Sequence, residues 1–593
     1  MTEKEIFLYV EEELTEIVGA AFADSGYAVQ YGAVKKADRP DLGDYQCNGA
    51  FQAAREYKKA PALIAREVCA GIRREDVFAG ITVAGNGFIN FTLNTDYILK
   101  RVEMIADYQK YRFTREPRQV ILDYGGPNIA KPLHVGHLRS AIIGDALKRI
   151  LAFAGDRVLA DVHLGDWGLQ MGMVILGILQ RKEKLAGIED EAVVPDLTSL
   201  DITLDDLNEI YPRVSAQCKE DKEMLARAQK ITALLQSHHK GYYALWQYIT
   251  EKSMADLKRN YAQLNITFDL WLGESSVNDV IPGMVEELKT GGFACPSEGA
   301  LIIDISLPDD TMEIPPFMLL TSNASALYST TDLATLKYRM LHFSPGAVIY
   351  VTDKRQEMHF EQVFRAARKT GIVPESTSLQ HIGFGTMNGE DGKPFKTRAG
   401  GVMRLSDLIS QVLEKAGEKI REQNPNEFKE EALLQELAAK IGIAALKYAD
   451  LINTPAKDYV FNLDKFCSFE GKTGAYLLYA NTRIKAIFRK VDYDKNKPLA
   501  LRAPASDSER AILLTLLDFP ARLQLAYKNL QPNVIAEYCY QLANAFNSFY
   551  KVHHIKSEKD RGQKESWLRL AQITSRILEL GIDLLGMEPV DYM

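Results

Sequence analysis

His134 and His137 stand three residues apart where a turn runs into a helical stretch. Imidazoles at that spacing on a helix's first turn can face one ligand together and donate hydrogen bonds to phosphate oxygens as charge builds on them. The helix start adds free N–H groups and positive potential, which also suit an anion. Gly136, between them, lets a flat base come close to the backbone. The competing explanation is accident, with both histidines exposed or satisfied in a core. Ten histidines and 40 glycines in 593 residues would give His-x-Gly-His about once in a hundred such chains. Placement at a strand-to-helix turn makes accident rarer still.

The elements around the pair follow from periodicity. Val120-Ile121-Leu122-Asp123-Tyr124 reads as a buried strand, and a turn containing Gly125, Gly126, Pro127 and Pro132 follows it. After His137, Leu138, Ile142, Ala146 and Ile150 recur every fourth residue, which is the apolar face of a helix. Gly155 marks its end, and Val158-Leu159-Ala160-Asp161-Val162 supplies a second strand. The expected βαβ unit places both histidines at the carboxyl edge of a parallel sheet, where open α/β sheets hold ligands.

The run Asp123-Tyr124-Gly125-Gly126-Pro127-Asn128-Ile129-Ala130-Lys131-Pro132-Leu133-His134-Val135-Gly136-His137 closely resembles the ATP-binding motif of class I aminoacyl-tRNA synthetases in its arginyl form. The resemblance extends over essentially the whole chain. It implies attack of an amino-acid carboxylate on the α-phosphorus of ATP, then transfer of the aminoacyl group to the terminal ribose of tRNA(Arg). Such a reaction asks mainly for positioning and charge stabilisation, with Mg2+ on the phosphates. The resemblance gives His134, Gly136 and His137 to the nucleotide and makes Lys131 a phosphate-neutralising lysine. A basic run, Gly389 to Gly400, resembles a degenerate form of the family's mobile lysine loop and contributes Lys393 and Lys396. The family's usual second lysine aligns with either Lys396 or Thr397. Alone, such a Gly- and Lys-rich stretch is ordinarily a solvated surface turn.

Guanidinium is a planar fork of donors, so a pocket selective for it needs carboxylates and neutral acceptors. Tyr328 and Asp332 are four residues apart and would share a helix face. The resemblance matches both to arginine-binding positions, together with Asn128, His134, Glu274 and Gln356. Without it, each carboxylate would read as a surface or capping acid. Thr330-Thr331 stands where the family has Thr-Arg, so local contacts there are expected to differ. His163-Leu164-Gly165-Asp166-Trp167-Gly168 is a family-like run expected either to line the crevice or to form a strand-end turn with a packed tryptophan.

Three regions differ in texture, and the expected fold is multidomain α/β. Residues 1–115 form an α+β unit that the resemblance assigns to the outer corner of tRNA, with Phe88 and Asn90 as contacts. Residues 116–405 alternate strands and helices; the resemblance makes them a doubly wound, Rossmann-like catalytic domain with a helical insertion at about 180–268. That insertion shows no proofreading chemistry. Residues 406–593 read as nearly all helix, and the resemblance makes them an anticodon-binding bundle. Ala475 to Lys490 sets a basic stripe beside an apolar one, suited either to a bundle helix with a solvated face or to RNA. The resemblance favours RNA.

Composition excludes several classes. Six scattered cysteines give neither a disulfide framework nor a cysteine zinc site; beyond ATP with Mg2+, no zinc or other metal site and no organic cofactor are expected. The acidic start and the lack of a long apolar run argue against secretion and membrane insertion, leaving a cytoplasmic setting. A net charge of -8 means that RNA must be held by local patches. The resemblance further implies a monomer and tRNA bound before arginine is activated. Two rivals remain: a cofactor-making nucleotidyltransferase with the same histidine motif, and a noncatalytic RNA-binding relative.

Overall fold

The computed structural model describes residues 5–39, 41–181, 185, 187–191, 195–198, 200–322, 325–393, 403–423, 430–491 and 498–593. At the N-terminus, helices α1 (Val10–Asp24), α2 (Gly49–Tyr57) and α3 (Pro61–Gly71) accompany a four-stranded antiparallel sheet. Its strands are β1 (Val34–Lys36), β2 (Tyr45–Cys47), β3 (Phe78–Ala84) and β4 (Phe88–Leu93), in spatial order β1-β2-β4-β3. Helix α4 (Thr95–Ala106), capped by the Asn94 side chain, leads out of this unit.

The central region is built on four parallel strands. Strand β5 (Gln119–Tyr124) is followed by helix α5 (Val135–Ala154), strand β6 (Arg157–Asp161) and helix α6 (Leu169–Arg181). Helices α7 (Leu204–Glu220), α8 (Lys222–Gln236) and α9 (Lys240–Gln263) then intervene. The chain returns through helix α10 (Val280–Thr290) and a small sheet of β7 (Cys295–Ser297), β8 (Ala300–Ile303) and β9 (Phe317–Leu320). Helix α11 (Tyr328–Phe343), strand β10 (Ala347–Asp353), helix α12 (Glu357–Lys369) and strand β11 (Ser378–Phe384) complete the region.

The spatial order β11-β10-β5-β6 makes the chain leave β5 to one side and return on the other. The sheet therefore has a topological switch point between β5 and β10, and ligand crevices open at the carboxyl ends of strands at such points. Successive residues of a strand face opposite sides of the sheet. Val120 and Leu122 accordingly join the core under α5, whereas Ile121 joins the core with Leu333 of α11 and Val363 of α12. Both faces are covered, as a doubly wound sheet requires.

The remaining chain is helical: α13 (Leu405–Gln423), α14 (Glu431–Leu451), α15 (Gly474–Lys490), α16 (Asp507–Leu517), α17 (Phe519–Asn529), α18 (Asn533–Val552) and α19 (Arg561–Leu584). Helices α13, α14, α17 and α19 all pack against α5. That packing buries polar positions of α5 as well as apolar ones. Arg139 Nε donates to Asp450 Oδ2 at 2.9 Å, Arg139 Nη1 donates to the Lys457 carbonyl, and the Tyr459 hydroxyl donates to the same Asp450 oxygen. One turn and a half further on, Lys447 Nζ lies 3.3 Å from Asp145 Oδ2 and donates to the Gly586 carbonyl at 2.7 Å. Burial lowers the Lys447 ammonium to about 8, while Asp145 pulls the other way.

Removing one member of a buried ion pair strands the other charge, which costs about 3–5 kcal/mol, whereas replacing both with apolar groups costs far less. Arg139→Met should therefore lower the thermal unfolding midpoint more than the double substitution Arg139→Met with Asp450→Leu does, measured by circular dichroism. A double variant as unstable as the single one would contradict the pairing.

Candidate active site

The strand-to-helix turn between β5 and α5 is fixed from several sides. Ser140 Oγ accepts from the Gly125 N–H at 2.8 Å and donates to the Val351 carbonyl at 2.6 Å, joining the turn to β10. The Tyr261 hydroxyl, from α9, donates to the Gly125 carbonyl. Gly126 passes so close to His163 that a Cβ would lie 2.3 Å from that residue's carbonyl oxygen, so only glycine fits. Asn128 bridges to Gly165 beyond β6, and Ala130 adopts a left-handed conformation at φ 63 that costs roughly 1 kcal/mol or more.

Helix α5 then begins with its two histidines already bonded. His134 is the N-cap, and its Nδ1 accepts from the Gly136 N–H at 3.0 Å. His137 Nδ1 accepts from the His134 N–H at 3.1 Å. Because both Nδ1 atoms accept, the protons of the neutral rings sit on Nε2. Burial pushes His134 below the usual histidine range and His137 down to about 3, with His134 and Lys131 adding to the effect on His137. The rings lie 3.9 Å apart between centroids. Two neutral N–H donors thus stand side by side at a helix N-terminus.

Residues after the lysine loop pair with this turn. The Val135 N–H donates to the Met403 carbonyl at 3.1 Å, and the Leu405 N–H donates to the Leu133 carbonyl at 2.9 Å. Before the loop, Met387–Asn388 pairs with Tyr459–Val460, and a tight turn bonds Gly389 to Lys393. Lys393 is exposed. Lys396 and Thr397 lie outside the described residues. Lys131 sits beside the histidines, but its ammonium lies 4.0 Å over the Tyr211 ring of α7.

A cleft of about 280 Å³ opens at the switch point. Among the expected residues, Gly136, His137, Tyr328, Asp332 and Gln356 line it, and Asp123, His163 and His359 join them. Helix α11 does put Tyr328 and Asp332 one turn apart, and Gln356 is the N-cap of α12. Asn128, Lys131, His134 and Glu274 stand around the cleft rather than in its lining. Glu274 begins a short 3-10 turn whose next residue, Ser275, donates through its backbone N–H and hydroxyl to the buried Asp166 carboxylate, at 3.0 and 2.6 Å. Burial raises the Glu274 carboxyl to about 7, opposed by His163 and reinforced by Asp166 and Asp332. In the same family-like run, the Trp167 indole is packed and donates to Asn278, so the run combines crevice lining with a packed turn.

Beneath the cleft, the fully buried Arg339 donates to Asp123 and Asp161 at 2.5 and 2.7 Å. Asp123, Asp161 and His163 come close enough together to suggest a metal site. The guanidinium already fills the cation position between the carboxylates, which leaves no place for a second cation. Sequence reasoning gives no site role to Asp123, Arg339 or His359. The only local signal was His359 three residues after Gln356, one helical turn along.

One expected RNA contact is displaced. Asn90 is 2% exposed, and its Oδ1 accepts from Gln46 Nε2 at 2.8 Å between β2 and β4, so it ties the sheet together and presents no surface. Phe88 is exposed and packs edge-on against Phe51. In the helical region, α15 and α18 border a groove of about 690 Å³ carrying Arg483, Arg489, Lys490, Lys551, Tyr479 and Tyr550. No helix among the described residues is long and apolar enough to cross a membrane.

The histidine geometry makes stability pH-dependent. The unfolded chain protonates His137 near pH 6.5, and the folded chain does so only near pH 3. Between these values the unfolded state binds more protons, so folding stability falls as pH drops, by up to about 1.4 kcal/mol per unit for this group. His137→Asn should flatten that part of the profile in urea unfolding at pH 4 to 7; a profile identical to the parent would contradict the half-buried, neutral imidazole.

Known proteins are similar to this chain. Residues 102–463 match the family model for the catalytic domain of class I (R) tRNA synthetases, residues 8–93 match the arginyl tRNA synthetase N-terminal domain, and residues 477–593 match the DALR anticodon binding domain. The chain is 46% identical to an arginine--tRNA ligase of Alkaliphilus oremlandii, over 98% of this chain and 99% of that protein. It is 45% identical to one of Agathobacter rectalis over the full length of both. The fold superposes on an arginyl-tRNA synthetase from Plasmodium falciparum with a TM-score of 0.83, 26% identity and complete coverage of both chains. A Thermus thermophilus arginyl-tRNA synthetase gives 0.79 at 24% identity, covering 98% of this chain and 100% of that one. The chain belongs to the arginyl-tRNA synthetase family within class I of the tRNA synthetases.

Proposed function

We propose that this chain ligates L-arginine to tRNA(Arg) through an arginyl-adenylate, consuming ATP as its magnesium complex and releasing AMP and pyrophosphate. The observation that carries the reading is the pair of neutral Nε2–H donors at the start of α5, beside a cleft lined by His137 together with Tyr328, Asp332 and Gln356. In the first step the arginine carboxylate attacks the α-phosphorus, an O–P bond forms, and the bond to the β-phosphate oxygen breaks with pyrophosphate as leaving group. In the second, a hydroxyl of the terminal ribose attacks the arginyl carbonyl, and AMP leaves.

His134 and His137 donate to phosphate oxygens that gain charge in the first step. Fixed in one tautomer before substrate arrives, they need no reorganisation as that charge develops. Lys131 leaves the Tyr211 ring to neutralise phosphate, and Lys393 with Lys396 approaches from the loop side. Glu274 and Asp332 supply the negative charge for the guanidinium, with Tyr328, Gln356, Asn128 and His134 holding the rest of the amino acid. Arginine's size and donors make discrimination by hydrogen bonding sufficient, without a hydrolytic editing site.

Residues 1–115 then serve the outer corner of the tRNA through Phe88, residues 116–405 carry the chemistry, and the basic groove of residues 406–593 holds the anticodon end. Binding of tRNA completes the pocket, so activation depends on it. The protein acts as a cytoplasmic monomer without zinc or an organic cofactor. A cofactor-making nucleotidyltransferase would need neither the N-terminal unit nor the helical tail. A noncatalytic relative would be expected to lack a histidine or a cleft carboxylate, and both are present.

Charging of bulk tRNA with each amino acid in turn should give product with arginine alone; charging with another amino acid instead would overturn the substrate. His134→Ala and His137→Ala should each slow activation about 100-fold or more, far more than they raise the KM for arginine. For arginine, kcat/KM should rise from pH 6 to 8, because the Glu274 carboxyl loses its proton near 7 and only the anion attracts a guanidinium. Glu274→Gln should lose that rise.

A further inference from the structure

We propose that His359 is a positioning residue for arginine selection, acting through Asp332. The assignment rests on the arginine reading of the cleft and adds a residue with no role of its own in that reading. His359 lies in the first turn of α12 with a side chain only 12% exposed, and its Nε2 is 2.6 Å from Asp332 Oδ2. A carboxylate oxygen can only accept, so Nε2 carries the proton and donates. The imidazole is gripped by aromatic rings, with Tyr328 at 4.6 Å and Phe360 at 5.1 Å between centroids. One side chain thus touches both residues of α11 that face the cleft and belongs to the helix capped by Gln356.

Two consequences follow from this geometry. A carboxylate on a free rotor presents its oxygens in many planes, whereas one held at Oδ2 by a packed imidazole offers Oδ1 in a fixed direction. A guanidinium, a rigid planar fork, gains most from an acceptor whose plane is already set. The second consequence concerns charge. An imidazole can donate to a carboxylate without carrying a permanent charge, while a lysine or arginine in its place would satisfy Asp332 as a full cation and compete with the substrate. Tyr328, 64% exposed, gains a defined ring position from the same contact.

The test measures pyrophosphate exchange by the full-length chain with saturating tRNA(Arg). His359→Leu keeps bulk without a donor, and His359→Gln restores an N–H donor at comparable reach. The leucine variant should raise the KM for arginine about tenfold or more, the scale of a lost hydrogen bond to a charged group. Its kcat and its KM for ATP should stay within about threefold of the parent, and the glutamine variant should recover most of the loss. In an Asp332→Asn background, His359→Leu should add less than about threefold, because the group it acts through has gone. An unchanged KM in the leucine variant, a glutamine variant no better than leucine, or effects that multiply in the double variant would overturn the assignment. Thermal unfolding is recorded for each protein; should the leucine variant not fold, His359→Asn, too short to reach Asp332, replaces it with the same expectations. Charging of the parent with arginine is the control. Its failure would remove the arginine reading itself, whereas normal charging beside an indifferent leucine variant removes only the role of His359.

Discussion

Helix α5 must do two things that conflict. Its first turn carries two imidazoles at the edge of the cleft, with its backbone N–H groups bonded to His134 and Met403, while most of its remaining length lies in the interior. The packing of α13, α14, α17 and α19 around it leaves little solvent for polar side chains. Arg139 and Asp145 are therefore paired with Asp450 and Lys447 of α14, and the Gly586 carbonyl takes a further Lys447 proton. Buried pairs of this kind add little net stability compared with apolar packing. What they provide is a defined rotation and register for the helix, and with it the direction in which His134 and His137 point.

The same economy governs the cleft. Few groups reach it without being held by a neighbour: the histidines by backbone N–H groups, the Glu274 turn by Asp166 through Ser275, Asp332 by His359, and Asp123 by Arg339. Carboxylates crowd one wall, and burial keeps the Glu274 carboxyl poised near 7 instead of fully charged. An arriving cation relieves that arrangement, whereas a neutral amino acid would leave desolvated negative charge uncompensated. Selectivity for a guanidinium, in the proposed reading, is then partly a property of the empty site.

What could be read in the sequence was local. The β5-turn-α5-β6 unit is legible because apolar period and turn residues change within a few positions, and the Tyr328 to Asp332 spacing needs only one helical turn. Contacts made across the sheet leave no such trace. Arg339 meets Asp123 and Asp161 from far along the chain, and His359 meets Asp332 from a different helix. Asn90 shows the limit of alternation. It shares strand parity with the exposed Phe88, yet it lies opposite Gln46 on one side and Thr82 on the other, in mid-sheet, and that pairing buries it. Lys131 could be placed beside the histidines by spacing alone; that its ammonium rests on Tyr211 is a fact of the insertion helices.

The pairing of α5 with α14 bears on modularity. Sequence families divide this chain into separable segments, and the catalytic segment looks as if it could be cut free. Yet a cut before α14 would strip Arg139 and Asp145 of their partners and expose the apolar flank of α5 that α14, α17 and α19 cover. The catalytic sheet and helices α13 and α14 pack as one body, and the catalytic family model, residues 102–463, spans both. Exchange of tail modules between such enzymes must therefore keep the faces of α17 and α19 that cover α5 and the Gly586 carbonyl that Lys447 needs.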